Sequence, residues 1–437
     1  MAFMEQFPLH QSVFNGDIKQ VSKQIRMCDI AQKDIHGNTP LHIAVMMGHK
    51  ECIHLLLAHG APVKPKNALG WTPLAEAISY GDRQTIMLLL RKLKHQSRET
   101  LEERRPFLVK ALKYIRDFDL QLKWDFQSWV PLVSRILPSD VCRIRKRGVQ
   151  IRLDTTLVNF TEMHWERGDL TFLYDGDAGP RHNLSVLDNR AEVYQRVRYE
   201  DCELELEDEV DILMSSDLIA AQLSTRHISF SRARSGWLFR EDKSEMVGDF
   251  RSDFFSVENL VLESKKRREH LTAEDIQKNK AIMENISKGA WDGTEVSSDD
   301  FSRRHSLLPP DKSTYSWDDY VTAPRGCYPC LGRQWVAKES SKAFKATVAM
   351  SDEFPVSIDI LLNVLEVMAP FKQFQKLRDF MSSKLPPGFP VRIEIPVFPT
   401  VTAKVTFSSF QWTDDLDSSL FSVPTHYSED PGRFPDL

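Results

Sequence analysis

Two stretches of this chain repeat one another at a fixed offset, and no other feature limits the fold as tightly. DIHGNTPLHIAVMMGHKECIHLLL begins at Asp34, and NALGWTPLAEAISYGDRQTIMLLL begins 33 residues later at Asn67. The offset superposes Gly37 on Gly70, Thr39-Pro40-Leu41 on Thr72-Pro73-Leu74, and Gly48 on Gly81. It also brings Ala44 onto Ala77 and Leu55-Leu56-Leu57 onto Leu88-Leu89-Leu90. A worn copy lies upstream in FPLHQSVFNGDIKQVSKQI, around Pro8, Gly16, Val21 and Ile25. Pro40 and Pro73 suit a first helical turn, where a missing N–H costs nothing, and Thr39 and Thr72 suit the N-cap before it. Gly48 and Gly81 can turn the chain between paired helices, and Gly37 and Gly70 can sit at the tip of a preceding turn. The leucine triplets supply an apolar face that one repeat buries against the next, so the repeats are expected to stack as an α-solenoid.

The 33-residue period and the T-P-L-H-x-A pattern resemble the ankyrin repeat, in about three copies over residues 1–98. Such an array presents a concave surface of hairpin tips and inner helices. Here that surface offers Ile35, His36, Asn38, Leu69 and Trp71 as partner-binding residues. Trp71 is either a contact anchor or a tip aromatic packed on the next repeat. Five histidines fall between His36 and His59, yet neither H-E-x-x-H nor zinc-finger Cys/His spacing accompanies them. They read as structural, with His42 a polar brace near the hairpin base. Residues 99–117 place Leu108, Leu112 and Ile115 at helical spacing and are expected to cap the array and link it onward.

After Asp117 the period changes. Phe118, Leu120, Leu122, Trp124 and Phe126 alternate as a half-buried strand does, and so do Val149, Ile151, Leu153 and Leu157. Leu170, Phe172 and Tyr174 follow in the same pattern. AEVYQRVRYEDCELELEDEVD is expected to continue it through Val193, Val197, Tyr199, Cys202, Leu204 and Leu206. Residues 258–287 are expected to include a helix with Thr272 as N-cap. SIDILLNVLEVMAP and FKQFQKLRDFMSSK read as two amphipathic helices, and FPVRIEIPVFPTVTAKVTF as two strands with Pro396 and Pro399 at an edge or bend. The expected fold is therefore α+β and multidomain. An ankyrin α-solenoid leads into a β-rich α+β domain over residues 118–437, which carries a flexible Ser/Thr/Asp/Pro-rich insert at about 291–325.

Within that insert RRHS puts two arginines before Ser306, a pattern that basophilic kinases accept. Ser306 is thus either a phosphorylation site, gaining roughly −1.5 to −2 of charge, or an unused loop serine. Cys327 and Cys330 form a lone C-x-x-C that cannot close a tetrahedral zinc site and reads as two ordinary thiols. No P-loop, G-x-S-x-G, dinucleotide glycine pattern or zinc motif is present, so no enzyme activity, catalytic residue, metal or cofactor is expected. The net charge of −5 gives no reason to expect nucleic acid. Residues 1–148 hold 23 Lys/Arg against 14 Asp/Glu, and the remainder 34 against 48.

Six cysteines without a framework suit a reducing cytosol. MAFMEQFPLH lacks the features of a signal peptide, and no transmembrane segment is expected. Peripheral membrane association would come through a partner or through surface charge. RIRKRG (Arg143–Gly148) and KKRR (Lys265–Arg268) are the runs that either touch anionic lipid or lie as solvated surface.

EFPVSIDILLNVLEVMA, LRDFMSSKLPPGFPVRIEIPVFPTVTAKVTF and SSLFSVPTHYSEDPGRFPDL resemble the ankyrin repeat domain 13 family, the last most closely its C-type branch. The resemblance covers nearly the whole chain. It implies a non-enzymatic binding protein on the cytosolic face of the endoplasmic reticulum membrane, peripheral and partly cytosolic. There the C-type branch acts as a chaperone for G-protein-coupled receptors, controlling their biogenesis and exit. Sister branches carry C-terminal ubiquitin-interacting motifs and act as endocytic adaptors. Such a motif needs an acidic cluster running into a helix with Ala and Ser four residues apart. The nearest imitation, LEDEVDILMSSDLIAAQLS, spaces Ala220 and Ser224 correctly but puts the acids too far upstream and Asp217 where an apolar residue is wanted.

Overall fold

The computed structural model describes residues 7–128, 139–161, 164–179, 182–197, 203–224, 227–235, 241–288, 303–360, 385–398 and 401–434. The chain divides into two compact units, neither continuous in sequence. The first joins residues 1–100 with 200–222 and 263–340, and the second joins 101–199 with 223–262 and 341–437. Simple boundaries at 98 and 117 therefore do not describe it, because two segments expected in the β-rich domain cluster with the repeats.

In the first unit the repeats form three helical hairpins. They are α1 (Pro8–Phe14) with α2 (Ile18–Gln24), α3 (Pro40–Met47) with α4 (Lys50–Ala58), and α5 (Pro73–Tyr80) with α6 (Arg83–Tyr114), the last belonging to this unit only through Thr100. The Thr72 hydroxyl accepts the Ala75 N–H at 3.2 Å and so caps α5. Gly48 and Gly81 end the inner helices at φ of 70° and 88°, a region that favours glycine. Leu41, Ile43, Ile53, Leu56, Ile86 and Leu89 are fully buried between hairpins. Leu89→Ala should lose about 2–5 kcal/mol of stability, against a smaller loss for the half-buried Leu88, as read by urea unfolding.

Two later segments complete this core. Helix Glu203–Ser215 contributes Leu206, Val210 and Met214. Their i, i+4, i+8 spacing is helical, and it overrides the alternating pattern that suggested a strand through Leu204 and Leu206. Helix Trp317–Thr322 buries Trp317, Tyr320 and Val321. Its start is fixed by a capping box, in which Ser316 Oγ accepts the Asp319 N–H at 3.2 Å and Asp319 accepts the Ser316 N–H at 2.9 Å. Residues 303–325, expected as part of a flexible insert, thus include a helix embedded in the repeat core. Residues 291–302 of that insert lie outside the described residues.

The second unit is built on a long, mainly antiparallel sheet. Strands Ser244–Val247, Phe250–Arg267 (in this unit only through Leu262), Ala337–Ser351 (in this unit only from Ser341), Phe389–Phe398 and Val401–Trp412 lead into β1 (Phe118–Ser128), β2 (Ser139–Arg147) and β3 (Gln150–Thr161). The path continues through β4 (His164–Asp175), β5 (Leu184–Asp188) and β6 (Val193–Arg196), with Ser428–Glu429 closing it parallel to β6. Alternation puts Phe118, Leu120, Ile144, Ile151, Val391 and Phe407 into one core. Leu108, Leu112 and Ile115 pack into this same core, so the residues expected to cap the repeats bury against the sheet instead. The register between Phe389–Phe398 and Val401–Trp412 shifts at Pro396, where no N–H is available to the ladder. Pro399, residues 361–384 that hold most of the two expected amphipathic helices, and residues 198–202 lie outside the described residues.

Candidate binding surface

The hairpin tips of the first unit are built by the same device twice, 33 residues apart. Asp34 Oδ1 accepts the N–H groups of His36 (2.8 Å) and Asn38 (2.9 Å), and Asn67 Oδ1 accepts those of Leu69 (3.1 Å) and Trp71 (3.0 Å). A side chain that satisfies two backbone donors holds each turn rigid. His42 braces the two turns. Its Nδ1 accepts the Thr39 N–H at 3.1 Å, and its Nε2–H donates to the Trp71 carbonyl at 3.1 Å. Because a backbone N–H can only donate, this geometry requires the neutral Nε2–H imidazole. Burial pushes its pKa down to about 3.

The surface these tips present is occupied by the chain itself. The Tyr320 hydroxyl donates to Asp34 Oδ2 at 2.5 Å and accepts from Asn38 Nδ2 at 2.8 Å. Asn67 Nδ2 donates to the Tyr328 hydroxyl at 3.2 Å and to Asn38 Oδ1 at 3.0 Å. The His36 ring has centroids of Tyr320 and Tyr328 both at 4.9 Å, donates from Nε2 to the Tyr320 carbonyl at 2.8 Å and accepts the Gly326 N–H at 3.2 Å. Burial, with Asp34 beside Tyr320 and Glu76 near Tyr328, raises both phenols well above their ordinary value, so both hydroxyls keep their protons.

Below them Arg267, 1% exposed, lies with its guanidinium 5.0 Å from the Trp71 ring centroid and 5.1 Å from that of Trp335. It reaches both oxygens of Glu76 at 3.1 and 3.0 Å, Glu269 at 2.8 Å and Ser79 Oγ at 2.8 Å. Burial pushes the Glu76 carboxyl up from its ordinary value. Burial acts the same way on Glu269, but Arg267 and Ser79 outweigh it and bring that carboxyl down. Of the five residues expected to face a partner, His36, Asn38 and Trp71 are therefore buried against internal contacts, while Ile35 and Leu69 are half-buried. Trp71, 5% exposed, packs against the Arg267 guanidinium rather than on a following repeat.

A family model described as ANKRD13 C-terminal matches residues 152–431, and one described as Ankyrin repeats (3 copies) matches residues 9–99. Ankyrin repeat domain-containing protein 13C of Homo sapiens is 62% identical over 99% of this chain and 79% of its own length. The protein of the same name from Danio rerio is 62% identical over 99% of this chain and 88% of its own. The chain belongs to the ankyrin repeat domain-containing protein 13 family. Another member, 13B of Homo sapiens, is 32% identical over 98% of the chain and 71% of its own length. The family's ankyrin repeats are a protein-interaction module, which fits a binding role for this member.

Other expected features of this family member find definite places. In the nearest imitation of a ubiquitin-interacting motif, the acidic part lies on the helix Glu203–Ser215, but Ala220 and Ser224 lie on the strand Leu218–Ser224 and so share no helix face. The basic runs are largely ion-paired within the protein. Lys265 pairs with Glu339 at 3.2 Å, Arg268 and Lys266 both pair with Asp217, and Arg267 is buried as described. Arg143 pairs with Asp119 at 2.9 Å, Arg145 with Asp154 at 2.9 Å and Lys146 with Asp117 at 2.9 Å. Cys330 donates to the Arg333 carbonyl at 3.0 Å, and burial raises its thiol. Among the described residues no group of three or more His, Cys, Asp or Glu is placed to hold a metal ion. Sequence reasoning missed Arg267, Tyr320 and Tyr328. The S-W-D-D capping signature at Ser316 and the cluster of aromatics inside a polar stretch were the available signals.

Proposed function

We propose that this protein is a non-enzymatic chaperone for G-protein-coupled receptors, acting peripherally at the cytosolic face of the endoplasmic reticulum to control their biogenesis and exit. The observation that carries the reading is the contrast between 62% identity to 13C and 32% identity to 13B over comparable spans. Since that role is the one the C-type resemblance implies, the assignment to this branch is what supports it. No helix among the described residues is long and apolar enough to cross a membrane. With the two basic runs largely engaged internally, attachment through the client is the favoured route over attachment through their charge.

The test uses the full chain, because a fragment ending near residue 130 would lack the segments 200–222 and 263–340 that complete the repeat unit. The tagged protein is expressed with a receptor and recovered from membrane fractions. Immature, core-glycosylated receptor should co-purify in preference to the mature form, and raising the chaperone level should delay surface arrival. Recovery of ubiquitin-conjugated cargo without immature receptor would replace this reading with the endocytic adaptor one.

A further inference from the structure

We propose that Ser306 is a phosphorylation site gated by the fold: a kinase can use it only when residues 303–308 leave the third ankyrin hairpin, and the phosphate then keeps them off. Residues 304–308 lie seated against the turn Tyr80–Arg83. The Leu307 N–H donates to the Gly81 carbonyl at 2.8 Å, and its side chain lies so close to Gly81 that a Cβ there would come within 2.6 Å of it. The Arg83 N–H donates to Ser306 Oγ at 3.0 Å, Arg83 Nη1 to the Arg304 carbonyl at 3.0 Å, and Arg333 to the Leu308 carbonyl at 2.8 Å.

The kinase determinants are engaged in this seat. The Arg304 guanidinium reaches Asp275 Oδ2 at 2.8 Å, its N–H donates to Asp211 at 2.9 Å, and Arg303 pairs with Glu207. A basophilic kinase needs those arginines extended into its own acidic pockets, so the exposed hydroxyl alone is not a substrate. Once released, Ser306 Oγ attacks the γ-phosphorus of a nucleoside triphosphate. The bond from that phosphorus to the β–γ bridging oxygen breaks, nucleoside diphosphate leaves, and the hydroxyl proton passes to the kinase base.

The modified residue cannot resume its contact with Asp82. In the seat the Ser306 hydroxyl donates to Asp82 Oδ1 at 3.5 Å. A phosphate ester has no proton there to donate and would set a dianion against a carboxylate. The cations nearby are already committed, Lys50 to Asp82 at 2.8 Å and Arg83 to Asp211.

The experiment compares initial phosphorylation rates of the full chain and of the free peptide FSRRHSLLPPDK, with a basophilic kinase and ATP, followed at Ser306 by mass spectrometry. The full chain should react at least tenfold more slowly. Leu307→Ala and Asp275→Asn, which loosen the seat at separate points, should each raise its rate several-fold. Hydrogen exchange at the Leu307 amide should lose protection on phosphorylation. A full-chain rate equal to that of the peptide would overturn the gating, as would rates unmoved by both variants. Retained Leu307 protection in the phosphorylated chain would overturn the release.

Discussion

Arg267→Ala is expected to lower the stability of the repeat unit by about 3–5 kcal/mol, the range for breaking a buried ion pair from one side. Truncation removes a cation that sits between two carboxylates with solvent exposures of 2% and 1%. It also removes the planar group between the Trp71 and Trp335 rings. Both carboxylates then face a choice between staying charged without a partner and taking up a proton, and either costs free energy at neutral pH. Arg267→Lys keeps the charge but loses the fork that reaches Glu76 and Glu269 together, so an intermediate loss is expected. Two units need not unfold in one step, so the readout is hydrogen exchange resolved by segment alongside urea unfolding. Peptides from α5 should lose protection while those from β1 to β3 keep it. A loss under about 1 kcal/mol would mean that desolvation already cancels the attraction within the network.

What the sequence made legible follows from the distance over which each feature is encoded. The hairpins were readable because a repeat writes its caps, turns and apolar face within 33 residues, and each element agrees with the next. The strands β1, β3 and β4 and the pair after Phe389 were readable because alternation is local. The occupant of the repeat surface was not. Tyr320 meets Asp34 across 286 positions and Arg267 meets Glu76 across 191, and no periodicity links such pairs. The polar composition around Tyr320 argued for a loop, yet three buried residues on a one-and-a-half-turn helix were enough to fix it. At Glu203–Ser215 alternating Leu204 and Leu206 competed with the helical set Leu206, Val210 and Met214. The helix prevailed because burial of three side chains on one stripe outweighs a short alternation, and Leu204 is left 62% exposed.

Lowering the pH from 7.5 to 5 is expected to remove about 2 kcal/mol from the repeat unit through His42 alone. In the folded chain His42 titrates at about 3, against an ordinary value of 6.5. Between those values the unfolded chain binds a proton that the folded chain refuses, so stability is complete above about 6.5 and falls as the pH drops below it. The refusal is structural. A proton on Nδ1 would break the bond from the Thr39 N–H and leave only the Thr39 hydroxyl, 2.9 Å away, to receive it, and burial away from water penalises the charged ring. His10 and His270, also lowered chiefly by burial, act in the same direction. Glu76, raised by burial, opposes them, since its uptake of a proton favours the folded state as pH falls. Carboxylates held low, such as Glu269 and Asp82, begin to contribute only nearer pH 4, below this window. His42→Gln isolates the term, because the amide can offer an acceptor and a donor without titrating. The fall in unfolding free energy between pH 7.5 and 5 should be about 2 kcal/mol larger in the parent than in the variant. Parallel pH profiles would show that His42 is protonated in place, and that the Thr39–His42–Trp71 brace does not depend on a neutral ring.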